Sequence, residues 1–164
     1  MAKSVEATMI NILFVCHGNI CRSPMAEFVM KDLVAKRGMV ERFHIESAAT
    51  SSEEIRNLVH AGTRKRLAKE GISCDRKRAR RLTLDDYGAF DYLIGMDGAN
   101  YRSMIRLYHN DPEKKIYKLL DFTNRKGDIA DPWYTGDFEA TYQDVLERCE
   151  GLYQHLIETD AASL

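Results

Sequence analysis

Ile10-Asn11-Ile12-Leu13-Phe14-Val15-Cys16-His17-Gly18-Asn19-Ile20-Cys21-Arg22-Ser23-Pro24 is the stretch on which the reading of this chain turns. Residues 12–15 are an apolar run of strand length. Gly18 is expected to take a backbone conformation that a Cβ resists, and Asn19 is among the few other residues that tolerate positive φ. Ser23-Pro24 reads as a helix start, with serine as the cap and proline in the first helical position. Glu27 would then stand in the first turn, where the helix dipole favours an acid. A strand that feeds a helix through a tight loop leaves the loop's N–H groups at a helix N-terminus, where anions bind. Cys16 opens that loop. A thiol beside a helix N-terminus and a cation ionises more readily than a free one, which titrates near ~8.5. Arg22 offers a planar fork that can grip two oxygens at once, which lysine cannot do. The segment therefore predicts a nucleophile, Cys16, inside an oxyanion cradle built from His17, Gly18, Asn19, Ile20, Cys21 and Arg22.

Outward from this segment the pattern alternates strand and helix. Strands are predicted over 10–15, 43–47, 92–96 and 116–119, and helices over 24–36, 60–70, 84–89, 99–107 and 138–157. Gly38 and Gly71 close two of the helices. Asn110-Asp111-Pro112 closes a third. The last helix carries Phe138, Tyr142, Val145, Leu146, Cys149, Leu152 and Leu156 on one face. A polar loop is expected over 121–136. This alternation predicts an α/β fold with a parallel sheet covered on both faces, and ligands in such folds bind at the carboxyl ends of the strands. Cys16 follows the first strand directly and so lands at that edge.

The bulk numbers bound the function. With 164 residues, the chain is expected to form one domain over 9–164 behind a short polar tail, 1–8. A formal net charge of −1 gives no electrostatic case for nucleic acid or membrane partners. No apolar run is long enough to span a bilayer, and the N-terminus lacks the apolar core of a signal peptide. Cys16, Cys21, Cys74 and Cys149 show neither a disulfide framework nor zinc spacing. No metal or cofactor is expected, and a cytoplasmic, reducing setting fits best. The run Arg76-Lys77-Arg78-Ala79-Arg80-Arg81 is short and without interleaved aromatics, and reads as a solvated turn.

The segment Val15-Cys16-His17-Gly18-Asn19-Ile20-Cys21-Arg22-Ser23-Pro24-Met25-Ala26-Glu27 resembles the signature of the low-molecular-weight protein tyrosine phosphatases. A second match, Asp131-Pro132-Trp133 with Tyr134 and Gly136, falls where that family carries its general acid. Further matches are Ser47-Ala48, Arg78-Ala79-Arg80, Phe90-Asp91-Tyr92 and Met96-Asp97. Together these imply a three-layer α/β sandwich whose four-stranded parallel sheet has the order 2-1-3-4, flanked by helices on both faces. They also imply hydrolysis of protein phosphotyrosine through a phosphocysteine on Cys16. In that reading Arg22 and the loop N–H groups bind phosphate, Asp131 is acid and then base, and Ser23, Asn19 and Ser47 support the loop. The partners would be tyrosine-phosphorylated proteins or peptides, with inorganic phosphate as product, and exposed aromatics could support weak self-association. His17, Glu53, Trp133 and Tyr134 would frame the substrate cleft. Ile20 stands where the related protein arginine phosphatases carry threonine, which favours phosphotyrosine. The resemblance also implies a reversible disulfide between Cys16 and Cys21.

Three positions depart from the pattern. Glu53 stands where many members have tryptophan, His17 where many have leucine, and Lys77 where a histidine often stands. The first two make the cleft rim more polar and charged, and the third touches the network around Asn19 and Ser47. Two other activities compete with this one. A thiol-dependent arsenate reductase shares the fold and loop, but relays oxidation through two further, closely placed cysteines. A phosphate-binding protein without turnover would need no acid.

Overall fold

Strand β1, Ile10–Cys16, runs through the middle of the molecule, and its alternation sets the layers. The computed structural model describes residues 9–124 and 127–160, and the polar tail expected over 1–8 lies outside the described residues. Ile10, Ile12, Phe14 and Cys16 face one apolar cluster, while Leu13 and Val15 face another. Strands β2 (Phe43–Ala49), β3 (Tyr92–Gly95) and β4 (Ile116–Lys118) complete a four-stranded sheet in the order β2-β1-β3-β4, every pair parallel. Parallel sheets are stable when both faces are covered, and here both are. Helices α1 (Arg22–Lys36), α2 (Ala61–Ala68) and α6 (Phe138–Asp160) pack on the Ile12–Phe14 side through Met25, Val29, Met30, Leu67, Val145, Leu152 and Leu156. The short α3 (Asp86–Ala89) leads into Phe90, which joins Met104 and Tyr108, on and just beyond α4 (Gly98–Leu107), against Leu13 and Val15 on the other side. The expected sandwich and strand order are those observed.

Register then places the site. Cys16 lies opposite Ala49, and Val15 opposite Gly95, so the carboxyl ends of β1, β2 and β3 are level. The chain leaves β1 for β2 on one side, and β3 pairs on the other. Crevices at such a reversal are where open α/β sheets bind ligands.

Several local expectations are corrected. The helix after β1 begins at Arg22, with Cys21 at its N-cap and no capping side chain. Ser23 is therefore inside the helix, and Pro24 is not at its first position. The serine hydroxyl is drawn instead to the Cys16 sulfur, 3.0 Å away. Glu27 falls beyond the first turn and is buried, where it accepts a hydrogen bond from Ser47. Gly18 does not carry positive φ, whereas Asn19 does, at 60°. A Cβ at Gly18 would instead crowd Glu54 Cγ at 3.3 Å. The stretch 121–136 is not all loop. A 3-10 turn covers Leu119–Phe122, and a short helix, α5, covers Pro132–Thr135, because Asp131-Pro132 is a helix cap followed by proline at N1. The basic run is not simply a solvated turn either. Ala79 is buried, the Lys77 side chain is 11% exposed, and Arg80 pairs with Asp86 and Glu46.

Candidate active site

The loop from Cys16 to Arg22 is held from below by one buried amide. Asn19 Nδ2 donates to Ser23 Oγ at 2.8 Å and to Ser47 Oγ at 2.9 Å. Its Oδ1 accepts the Arg80 N–H at 3.2 Å, which settles which way the amide faces. Because Ser23 Oγ accepts from Asn19, its own proton is free to point at the Cys16 sulfur. The Asn19 N–H also donates to that sulfur, at 3.3 Å. By the same logic Ser47 donates to Glu27 Oε1 at 2.5 Å. Glu27 in turn faces Lys31 Nζ at 2.6 Å and Lys77 Nζ at 3.8 Å, while Lys77 Nζ donates to the Ser47 carbonyl at 2.8 Å. Lys77, where the resemblance led one to look for histidine, is thus a strut between β2 and α1. Burial lowers its pKa, with the Glu27 charge opposing.

Arg22 is fixed just as firmly. Its NH1 donates to Asp97 Oδ2 at 2.8 Å and to the Ile129 carbonyl at 3.0 Å, and its NH2 lies 3.5 Å from Asp131 Oδ2. Its side chain is 4% exposed, and its Nε is buried without a hydrogen-bond partner among the described residues. Burial works against the guanidinium, but the Cys16 and Asp97 charges outweigh it and raise its pKa. One edge of the fork is occupied, and the edge carrying Nε is left for an anion. Asp97 caps α4 with Oδ1, accepting the Asn100 N–H at 2.8 Å, and gives Oδ2 to Arg22. Burial opposes its ionisation, yet the Asn100 N–H and Arg22 hold its pKa below the usual carboxylate value.

Asp131 reaches the same place from the far end of the chain. Its Oδ1 accepts the Trp133 N–H at 3.1 Å, so the cap of α5 aims Oδ2 toward Arg22. A cleft of about 210 Å³ opens above, lined by Cys16, His17, Gly18, Ile20, Cys21, Arg22, Glu53, Glu54, Asp131, Trp133 and Tyr134. Trp133 and Tyr134 are 57% and 84% exposed, so neither fills the core. His17 and Glu53 pair across the rim at 3.2 Å. Every residue expected in the site therefore lies along this cleft or directly beneath it.

The family described as Low molecular weight phosphotyrosine protein phosphatase matches residues 11–162. The chain belongs to it. A Bacillus subtilis relative named low molecular weight protein-tyrosine-phosphatase YfkJ is 42% identical over 146 residues, 88% of this chain and 94% of that protein. The crystal structure of YfkJ superposes with a TM-score of 0.90 at 39% identity, covering 94% of this chain and 98% of that one. A low molecular weight protein tyrosine phosphatase from Streptococcus pyogenes gives 0.81 at 42% identity, covering 90% and 93%. A Drosophila arginine phosphatase, DARP, also gives 0.81, at 32% identity over 88% and 96%. This chain is thus an enzyme of the phosphatase class.

Five participants were not read from the sequence in these positions. Asp97 and the Ile129 carbonyl anchor Arg22, and Glu27 ends the hydrogen-bond chain under the loop. Glu54 packs on Gly18, and the His60 ring meets Trp133 edge-on at 5.6 Å while the His60 backbone N–H donates to the Ile20 carbonyl. Asp97 alone had a local signal, as the N-cap before Gly98.

Proposed function

We propose that this enzyme hydrolyses protein phosphotyrosine through a phosphocysteine intermediate. The observation that carries the reading is the buried, unpartnered Arg22 Nε in the cleft that holds the Cys16 sulfur. A buried polar group without a partner is costly, and phosphate oxygens supply the partner. The Cys16 thiolate attacks phosphorus, an S–P bond forms and the P–O bond to the phenol breaks. Asp131, protonated, gives its proton to the departing phenolate. As a carboxylate it then takes a proton from water, whose oxygen attacks phosphorus. The S–P bond breaks, and inorganic phosphate leaves with the thiolate restored. The loop N–H groups and Arg22 bear the charge spread over the equatorial oxygens. Trp133 and Tyr134 suit a phenyl ring between them and set the thiol at a depth that phosphoserine does not reach. Ile20 favours phosphotyrosine over phosphoarginine. A free catalytic thiol fits the reducing cytoplasm.

The test is one panel of para-nitrophenyl phosphate, phosphotyrosine peptide, phosphoserine peptide, phosphoarginine and arsenate. Phosphotyrosine is expected to be turned over best. Cys16→Ser is expected to lose turnover, and Asp131→Ala to slow the phenol leaving group by about 10²–10⁴-fold while affecting para-nitrophenol less. Full rate for Asp131→Ala on phosphotyrosine defeats the acid assignment. Preference for phosphoarginine or arsenate defeats the substrate.

We also propose that Cys21 protects Cys16 from over-oxidation. The two thiols share the cleft. Burial, then the Cys16 and Asp131 charges, push the Cys21 thiol up to about 12, so it stays protonated while Cys16 reacts. Peroxide converts the Cys16 thiolate to a sulfenic acid, and the Cys21 sulfur displaces water from it to form the disulfide. Mild peroxide is expected to lower the intact mass by two hydrogens. A gain of two oxygens at Cys16 is the contrary result.

A further inference from the structure

The cradle of this cleft is built for an anion, but its mouth is not. Glu53 and Glu54 stand on the segment after β2 and both line the opening. Glu54 is held in place, with its Cγ against the Gly18 backbone and its Oε1 accepting from Asn57 Nδ2 at 2.6 Å. Glu53 faces His17, and the two side chains are 68% and 57% exposed. Asp131 adds a third carboxyl further in. Against these, the cations are few. Among the described residues His17 is the one basic side chain at the rim, and it faces Glu53. Arg22 lies on the floor with its charge turned to Asp97 and Asp131. Arg78, from the basic run, points its guanidinium to the Arg56 carbonyl rather than into the cleft. Beyond the phosphate-binding loop the mouth is therefore net negative.

A phosphotyrosine entering this cleft brings its neighbours in the peptide to that mouth. We infer that Glu53 and Glu54 make this enzyme select phosphotyrosines flanked by lysine or arginine and disfavour those flanked by aspartate or glutamate. The inference rests on the phosphotyrosine reading and deepens it. Charge placed this way acts on encounter and register more than on the chemical step, so the preference belongs in kcat/KM and fades with salt. Exposed ion pairs are individually weak, so each carboxylate contributes a factor of roughly two to five, and the pair together about tenfold.

The experiment uses three phosphotyrosine peptides identical except for the residues on either side of the phosphotyrosine, which are lysine, alanine or aspartate. The kcat/KM ratio of the lysine to the aspartate peptide is expected to be about tenfold at low salt and to approach one in ~1 M sodium chloride. It is expected to fall toward one in Glu53→Gln/Glu54→Gln and to invert in Glu53→Lys/Glu54→Lys. A ratio near one in the wild-type enzyme at low salt overturns the inference, whatever the variants do. So does a ratio that survives both double substitutions. If all three phosphotyrosine peptides are hydrolysed equally well, the phosphotyrosine reading stands and only the rim is misread. If para-nitrophenyl phosphate is hydrolysed and no peptide is, the phosphotyrosine reading falls and takes this inference with it.

Discussion

At the scale of the residue, the site is a set of side chains each used twice. Asn19 orders two serines and accepts from Arg80. Asp97 caps a helix with one oxygen and orients the arginine with the other. Double use makes Asp97 a sensitive position. Asp97→Asn keeps the shape and the capping oxygen but removes the charge that faces Arg22. The guanidinium is then free to turn toward Asp131. Misplacement by about 1 Å costs on the order of 10²-fold in rate, so kcat/KM for para-nitrophenyl phosphate is expected to fall about that far. A fall under about twofold means that the Ile129 carbonyl alone orients Arg22. The same substitution has a pH signature. The Asp97 pKa is lowered by folding, so its charged form stabilises the fold at neutral pH, and that contribution is lost as pH falls through the lowered value. The stability gap between wild type and Asp97→Asn, read from urea unfolding, is expected to be widest near neutrality and to close in acid.

At the scale of the element, the segment that carries Asp131 hangs from α6. Arg148 is 1% exposed, a large side chain buried almost completely. Its NH1 donates to the Gly127 carbonyl at 3.2 Å, while its Nε lies 3.9 Å from Asp144, close enough for charge and too far for a hydrogen bond. The segment it grips then offers Ile129 to Arg22 and Asp131 to the cleft. Removing this arginine loses its hydrogen bond to the Gly127 carbonyl, worth about 0.5–1.5 kcal/mol, before any loss of packing. Arg148→Met is expected to lower stability by at least that much. If its grip also positions the acid, phenyl phosphate will lose about tenfold in kcat, well beyond the loss with para-nitrophenyl phosphate, whose leaving group needs little protonation. Equal losses on both substrates, measured well below the melting temperature, make Arg148 a purely structural residue.

At the scale of the whole molecule, the site draws on segments far apart in sequence, and that separation explains what could be read in advance. Cys16 and Arg22 are six residues apart, and strand, loop and helix between them carry their own local signals. The strand order and both sheet faces likewise follow from short-range alternation and family resemblance. Ser23 was misread because a serine before proline has the form of a cap whether or not its hydroxyl is wanted elsewhere, and the competitor was the Cys16 sulfur across the loop. Glu27 with Lys77, and Arg22 with Asp97 and Ile129, meet only after α1, β2, β3 and the segment that carries Asp131 have come together. No spacing rule connects them. An anion in the cradle bridges these same segments only in the folded state, so it is expected to stabilise the fold as a whole. At a phosphate concentration ~100 times its Kd the gain is about 2.7 kcal/mol, which for a chain of this size raises Tm by about 5–10 °C. Thermal unfolding with inorganic phosphate, against sodium chloride at equal ionic strength, measures it. Arg22→Met is expected to abolish the shift. A shift that persists in Arg22→Met places the bound phosphate somewhere other than this cleft, and removes the anion cradle as the reason the segments converge.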